Sequence, residues 1–359
     1  MTTFKIAAIP GDGIGNEVTD EGIKILNTFA ELKGNLKFEY EHFPWSCEYY
    51  LKTGQMMDED GLEKLKNFDT ILLGAVGFPS VPDHVSLHGL LLKIRQGFNQ
   101  YVNLRPVKLL PGAPCPLKDK QPGDIDFVVV RENVEGEYSG VGGIRFPDRP
   151  EEIALQTSVF TRKNTEKLMR YTFELARKRN KMHKVTCVTK SNALNYSMVF
   201  WDKVFKEVAR DYPEMETEFT HVDALSMFFV QKPQVYDVLV ASNLFGDIIT
   251  DLGAAIQGGL GFAASANLNP EKEYPSMFEP VHGSAPDIAG KGLANPIAMV
   301  WTVKMMLDFL LNDEEGAVVE KAITAVLTEG KYLTPDLGGK ATTQQVGDAI
   351  CAELKKLLS

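Results

Sequence analysis

The sequence predicts an α/β fold built on parallel or mixed sheets. Two observations predict it: short β-rich apolar runs alternate with helical patterns along the chain, and the runs read as buried strands. A third, the length of 359 residues, suits one or two domains with a large core. In order, FKIAAIP, DTILLGAV, DIDFVVVRE, KVTCVTK and VYDVLVASN read as strands. EVTDEGIKILNTFAELK, TEKLMRYTFELARKR and QVGDAICAELKKLL read as amphipathic helices. A Pro- and Lys-rich loop at 109–124 and a GGIRFPDRPEE break at 142–152 interrupt the pattern; the second suits an exposed arm or hairpin.

Composition narrows the class. Apolar residues at 44% and charged residues at 24% are ordinary for a globular protein. The net charge of −10 argues against a nucleic-acid binder. It leaves an anionic small substrate open, because a local arginine cluster overrides the global sign. No apolar run approaches the ~20 residues of a membrane span, and the opening MTTFKIAAIPGDG lacks the apolar length of a signal peptide. Cys47, Cys115, Cys187 and Cys351 form no CxxC pair and read as reduced thiols, so the expected compartment is the cytoplasm.

SNLFGDIITDLGA, at 242–254, carries the first chemical signal. A strand leads into a helix there, and sites in α/β sheets lie at the carboxyl ends of strands. Asp247 and Asp251 fall at i and i+4, on one helix face. Two carboxylates so placed repel weakly, and a hard divalent cation would reverse the sign; taken alone, the pair also suits a solvated helix surface. Arg95, Arg105 and Arg131 stand near element ends, where arginine forks suit a di-acid. In isolation, a surface salt bridge is the commoner role for each of them. Tyr138 follows Arg131 by seven residues. Lys190 and Asn192 end the KVTCVTK strand, where a lysine serves as a base if its neighbours lower its pKa. Asp223 follows a β-like stretch, EFTHVD.

Two glycine-rich segments compete as the nucleotide loop. AAIPGDGIGNEV has the spacing G-x-G-x-G and so fails the dinucleotide fingerprint. FEPVHGSAPDIAGKGLANPIAMV, at 278–300, is the better candidate, with Asn295-Pro296 resembling an N-cap and first helical position. Asp287 suits the two ribose hydroxyls, and its charge would repel a 2′-phosphate, favouring NAD over NADP.

Together the motifs resemble one family. PGDGIG, NLRP, VRENVEGEY, TKSN, SNLFGDIITD and EPVHGSAPDIAGKGLANP stand here in the order of the metal-dependent, β-decarboxylating 2-hydroxy acid dehydrogenases, the isocitrate/isopropylmalate dehydrogenase family, over about residues 5–350. SCEYYLKTGQMM, VPDHVSL, QPGDIDF, SANLNPE and TPDLGGKATTQQVGDAI are similar to its D-malate/tartrate branch.

The resemblance implies a two-domain α/β structure, not a Rossmann fold, with a discontinuous first domain and the site in the interdomain cleft. Residues 1–103 plus 258–359 would form the large domain with both termini. Residues 104–257 would form a small dimerisation domain with an arm near 140–160.

The resemblance also implies residue roles. Arg95, Arg105 and Arg131 would hold substrate carboxylates, with Leu91, Leu92 and His88 near the C3 substituent. Asp223, Asp247 and Asp251 would ligate Mg²⁺ or Mn²⁺. Lys190 would assist removal of the C2 hydroxyl proton, and Tyr138 would protonate the enol carbon. Lys190 and Asp223 would reach the site from a partner subunit, so a homodimer with shared sites is expected. His282, Gly283, Ser284, Ala285, Asp287 and Asn295, with Glu279 and Asn192, would contact NAD. A monovalent cation such as K⁺ is a further candidate cofactor. The implied activity is oxidation of D-malate to pyruvate and CO₂, or of tartrate. 3-Isopropylmalate, or a broad range of 2-hydroxy diacids, is the alternative substrate, favoured by the apolar Leu91 and Leu92. A non-catalytic regulatory subunit is the remote alternative.

Overall fold

The computed structural model describes residues 1–311 and 313–358. The chain divides into two compact units. The first comprises residues 1–100, 109–122 and 254–359. The second comprises 101–108 and 123–253.

In the first unit, strand Thr2–Gly11 pairs in parallel with Leu36–His42 on one side and Thr70–Ala75 on the other. Ser276–Pro280 runs parallel to Thr70–Ala75 and antiparallel to Ala264–Leu268. Every residue of Thr70–Ala75 is buried, as expected for a strand covered on both faces. Helix Ile14–Lys33 follows the first strand and ends at Gly34, whose φ of +69° supplies the left-handed cap. It buries Val18, Ile25, Leu26 and Phe29, the stripe that the sequence periodicity predicts. Trp45, Phe43, Leu90, Ile94 and Phe98 belong to one core cluster. The Pro-rich loop 109–122 packs in this unit, although the sequence reading put it in the middle domain. Gly112 explains the contact, since its backbone lies against Leu327 and Thr328, where a Cβ would sit 2.5 Å from Leu327 backbone atoms.

In the second unit, Val102–Lys108 pairs antiparallel with Asp126–Glu132. Asp126–Glu132, Val238–Ala241, Lys184–Thr189 and Glu216–His221 then follow as neighbouring parallel strands. Four parallel strands place four carboxyl ends on one edge of the sheet. Gly136–Arg145 and Ile153–Val159 form a separate antiparallel hairpin with exposed Ile144, Ile153 and Leu155. Asp223, read as following a β-like stretch, lies in the first turn of helix Val222–Gln231, directly after strand Glu216–His221.

All four cysteines are free. Among the described residues, no helix is long and apolar enough to cross a membrane.

Candidate active site

The carboxyl edge of the second unit's sheet gathers Asp223, Asp247, Asp251, Tyr138, Lys190 and two of the three predicted arginines. Arg131 is the penultimate residue of its strand, and Ala241 of the neighbouring strand is in register with it. Helix Asn243–Ile256 starts immediately beyond Ala241, which brings Asp247 to Arg131 across 116 residues of sequence. Asn103 opposes Arg131 in the antiparallel pair, so Arg105 projects from the same face one step along.

The side chains close on one carboxylate. Arg131 Nη1 and Arg105 Nη1 (3.3 Å) both donate to Asp247 Oδ1, and Tyr138 Oη donates to Oδ2 at 2.8 Å. Each guanidinium is held from behind. Arg105 donates to Asn103 Oδ1 at 2.7 Å and to Thr250 Oγ1 at 2.7 Å. Arg131 donates to Asn243 Oδ1 through Nε at 3.1 Å and Nη2 at 2.7 Å. Both arginines are buried, with Arg131 only 1% exposed. The absent side chain of Gly246 makes this possible, because a Cβ there would lie 2.6 Å from Arg131 Cγ.

Burial, together with the adjacent Asp247 charge, pushes the Tyr138 phenol up to about 12, so it stays protonated at neutral pH. Partial desolvation and then the Asp247 charge hold the Asp251 carboxyl above its ordinary range, with Arg105 and Arg131 pulling the other way. Two guanidinium charges face two carboxylates here. A divalent cation on the carboxylates would leave two positive charges for a dianionic substrate. The donor set therefore fits a hard divalent ion on Asp247 and Asp251.

Further along the same edge, Lys190 follows strand Lys184–Thr189, and Thr189 is in register with His221. That register brings Lys190 Nζ within 2.6 Å of Asp223 Oδ1, and this bond holds the Asp223 carboxyl below its ordinary range. Asn192 is exposed in the following turn. Among the described residues of one chain, no three His, Cys, Asp or Glu side chains converge as a metal site, so Asp223 does not join Asp247 and Asp251 within a chain.

The first unit carries the remaining predicted groups. Arg95 Nη2 pairs with Glu279 Oε1 at 2.6 Å, both side chains being buried, and Asn267 Nδ2 donates to the same oxygen at 2.8 Å. Glu279, expected on the cofactor side, thus holds an arginine. Residues Leu87–Leu91 form a π-helical turn just before Arg95, a device that shifts side-chain phase along a helix. Here His88 is exposed, Leu91 packs against the core cluster and Leu92 is 2% exposed.

The two glycine-rich segments, rivals in the sequence, are neighbours in space. Ile14 N donates to Ser284 O at 2.9 Å, and a Cβ on Gly13 would sit 2.1 Å from that oxygen. The first segment therefore braces the second. In the braced loop, Ala285 adopts φ +40° and Gly283 faces open space. His282 Nε2 is buried without a protein partner among the described residues, and burial holds the imidazole below its ordinary pKa, hence neutral. An unsatisfied buried ring nitrogen beside an open glycine fits a polar cofactor at this loop. Asp287 is exposed. Asn295 is buried, accepting from Ile297 N at 3.0 Å and donating to Asp336 at 3.0 Å, so it caps the helix from one residue before Pro296, the N-cap position.

Sequence reasoning missed Asn103, Asn243, Thr250 and Glu132. Asn103 and Thr250 carried weak signals, two residues before Arg105 on one strand face and three after Asp247 on one helix face. Glu132 is fully buried, and desolvation pushes its carboxyl up from 4.5 to about 7, against opposing backbone and Asn164 hydrogen bonds. Between those values the folded chain binds more protons than the unfolded one at this group. Its contribution to stability therefore falls as pH rises from about 4.5 to 7. Glu132→Gln is expected to flatten that part of the curve of melting temperature against pH, relative to wild type. An unchanged difference between the two proteins across this window would refute it.

Known proteins place these observations. The model of the isocitrate/isopropylmalate dehydrogenase family matches residues 5–350. The chain is 54% identical over 358 residues to a probable tartrate dehydrogenase/decarboxylase of Bacillus subtilis, covering 99% of each chain. It is also 54% identical to a decarboxylating D-malate dehydrogenase of Escherichia coli, covering 98% of each. Among solved structures, an isocitrate dehydrogenase from Methylococcus capsulatus superposes with a TM-score of 0.87 at 34% identity, covering 98% of this chain and 99% of the other.

Proposed function

The chain belongs to the isocitrate/isopropylmalate dehydrogenase family, and from that premise we propose that it oxidises and decarboxylates D-malate or tartrate, using NAD and a Mg²⁺ or Mn²⁺ ion. The convergence of Arg105, Arg131 and Tyr138 on Asp247, with Asp251 one turn on, carries the reading. Buried, pre-oriented guanidinium groups suit the carboxylates of a small diacid. The names of the two curated relatives support the branch. The exposed imidazole of His88 and the buried Leu92 favour a small or polar C3 substituent over a branched alkyl group.

When bound, the two cofactors supply a hydride acceptor for C2 and Lewis-acid stabilisation of charge developing on the C2 oxygen. Asp247 and Asp251 would hold the ion, completed by Asp223 of the partner subunit in a homodimer. The 282–287 loop and Asn295, with Glu279 and Asn192, would hold NAD. Arg95, Arg105 and Arg131 fix the substrate carboxylates and so orient C2. Lys190 of the partner subunit assists removal of the C2 hydroxyl proton, and Tyr138 holds the proton that C3 takes up after CO₂ leaves.

The test is NADH formation by the purified chain with Mn²⁺ and K⁺. D-malate, tartrate, 3-isopropylmalate and isocitrate are offered separately, with NADP⁺ and EDTA arms. D-malate or tartrate is expected to give the highest kcat/KM, at least tenfold above 3-isopropylmalate. EDTA should abolish the signal, and NADP⁺ should replace NAD⁺ poorly. A tenfold preference for 3-isopropylmalate would overturn the branch.

A further inference from the structure

Glu132, the residue after Arg131, takes no part in the chemistry above, yet it is 1% exposed and fully engaged. Its Oε1 accepts from the backbone N–H groups of Val134 and Glu135 and from Asn164 Nδ2, each at 2.9 Å. Its Oε2 accepts from Asn243 Nδ2 at 3.2 Å. The same carboxamide presents its oxygen in the other direction, to Nε and Nη2 of Arg131. Asn243 Nδ2 also donates to Glu135 O at 3.2 Å, which favours the same orientation. Gly136 leaves room for this stack, since a Cβ there would lie 3.3 Å from Asn243 Cβ and 3.4 Å from Glu132 Oε2.

An amide has one donating end and one accepting end. A carboxylate on one side therefore dictates which end meets the guanidinium on the other. Turned over, the amide would set N–H donors against N–H donors, and Arg131 would lose both bonds at once. We propose that Glu132 is a positioning residue: it locks the Asn243 amide with its oxygen toward Arg131 and thereby aims that guanidinium at the substrate. The inference rests on Arg131 holding a substrate carboxylate.

Steady-state KM and kcat for D-malate, measured above about pH 8 where the Glu132 carboxyl is ionised, test it in Glu132→Gln, Asn243→Asp, the double variant and Arg131→Met, with melting temperatures alongside. Glu132→Gln keeps an acceptor toward Val134 and Glu135 but turns a donor on Asn243. KM is expected to rise about tenfold or more, the worth of a hydrogen bond to a charged group, with kcat within about threefold. Asn243→Asp sets two carboxylates face to face, so the pair takes up a proton and regains a donor, and KM should rise less than in Glu132→Gln. The double variant reverses the polarity of the whole pair, with a Gln donor facing an Asp acceptor that still faces Arg131. It should lower KM at least about threefold below that of Glu132→Gln, short of full recovery because the Glu135 carbonyl then faces an Asp oxygen. A merely structural role for Glu132 predicts no such rescue.

An unchanged KM in Arg131→Met overturns the substrate reading, and this inference with it. A raised KM in Arg131→Met beside an unchanged KM in Glu132→Gln overturns the inference alone. If Glu132→Gln does not fold, recovery of folding and KM in the double variant supports the lock, and recovery of folding without KM overturns it.

Discussion

Asp247→Asn is expected to lower metal-dependent kcat/KM with D-malate by on the order of 10²–10³. Asp247 Oδ1 faces two guanidinium groups, and Oδ2 faces the Tyr138 hydroxyl. An amide in its place keeps its oxygen toward the arginines, because the other orientation opposes donors to donors. Its NH₂ group must then face Tyr138 and force the phenol to accept. The substitution thus removes one of the two carboxylates that fit the ion and reverses the polarity of the phenol's contact. Titrating Mn²⁺ into the variant separates the two effects, since lost ligation raises the metal concentration needed for half activity. Metal-dependent turnover within a few-fold of wild type, at unchanged Mn²⁺ requirement, would remove Asp247 from the metal.

Tyr138→Phe is the second large effect, an expected loss of about 10²–10⁴ in kcat, the range for a positioned acid. The phenol, pushed up to about 12 by burial and the Asp247 charge, is a proton holder at neutral pH rather than a base. Its guanidinium neighbour Arg131 lies 5.4 Å from the ring centre, so the ring itself remains packed when the hydroxyl is removed. The lost bond to the Asp247 carboxylate should cost folding about 1.5–3 kcal/mol, the range for a charged acceptor. Following NADH and pyruvate separately in a single turnover locates the defect, because C3 takes up its proton only after hydride transfer and CO₂ loss. If Tyr138 supplies the proton to C3, oxidation should survive better than overall turnover. Equal, small losses in both signals would assign the proton to another group.

How much of this was legible in the chain differs from residue to residue. Strand Asp126–Glu132 and helix Asn243–Ile256 were plain, because an apolar run and a face repeating every three to four residues are local properties. The i, i+4 placement of Asp247 and Asp251 follows from helix geometry alone. Motif order by itself points to the family. Spacing alone ranks the glycine-rich rivals, but their contact through Gly13 and Ser284 was invisible, since 271 residues separate them.

The sequence by itself therefore determined the element types, the family and the set of chemical groups. Only the tertiary structure decided their partnerships. Arg131 meets Asn243 and Asp247 because strand Val238–Ala241 inserts beside Asp126–Glu132 in one register, and Lys190 meets Asp223 because Thr189 stands opposite His221. Arg95 is paired with Glu279 rather than standing open, because strand Ser276–Pro280 carries that carboxylate to it across 184 residues. Periodicity reports the local environment of each residue. Strand order and register are set by the packing of the whole unit, and a one-residue slip would turn every one of these side chains to the opposite face.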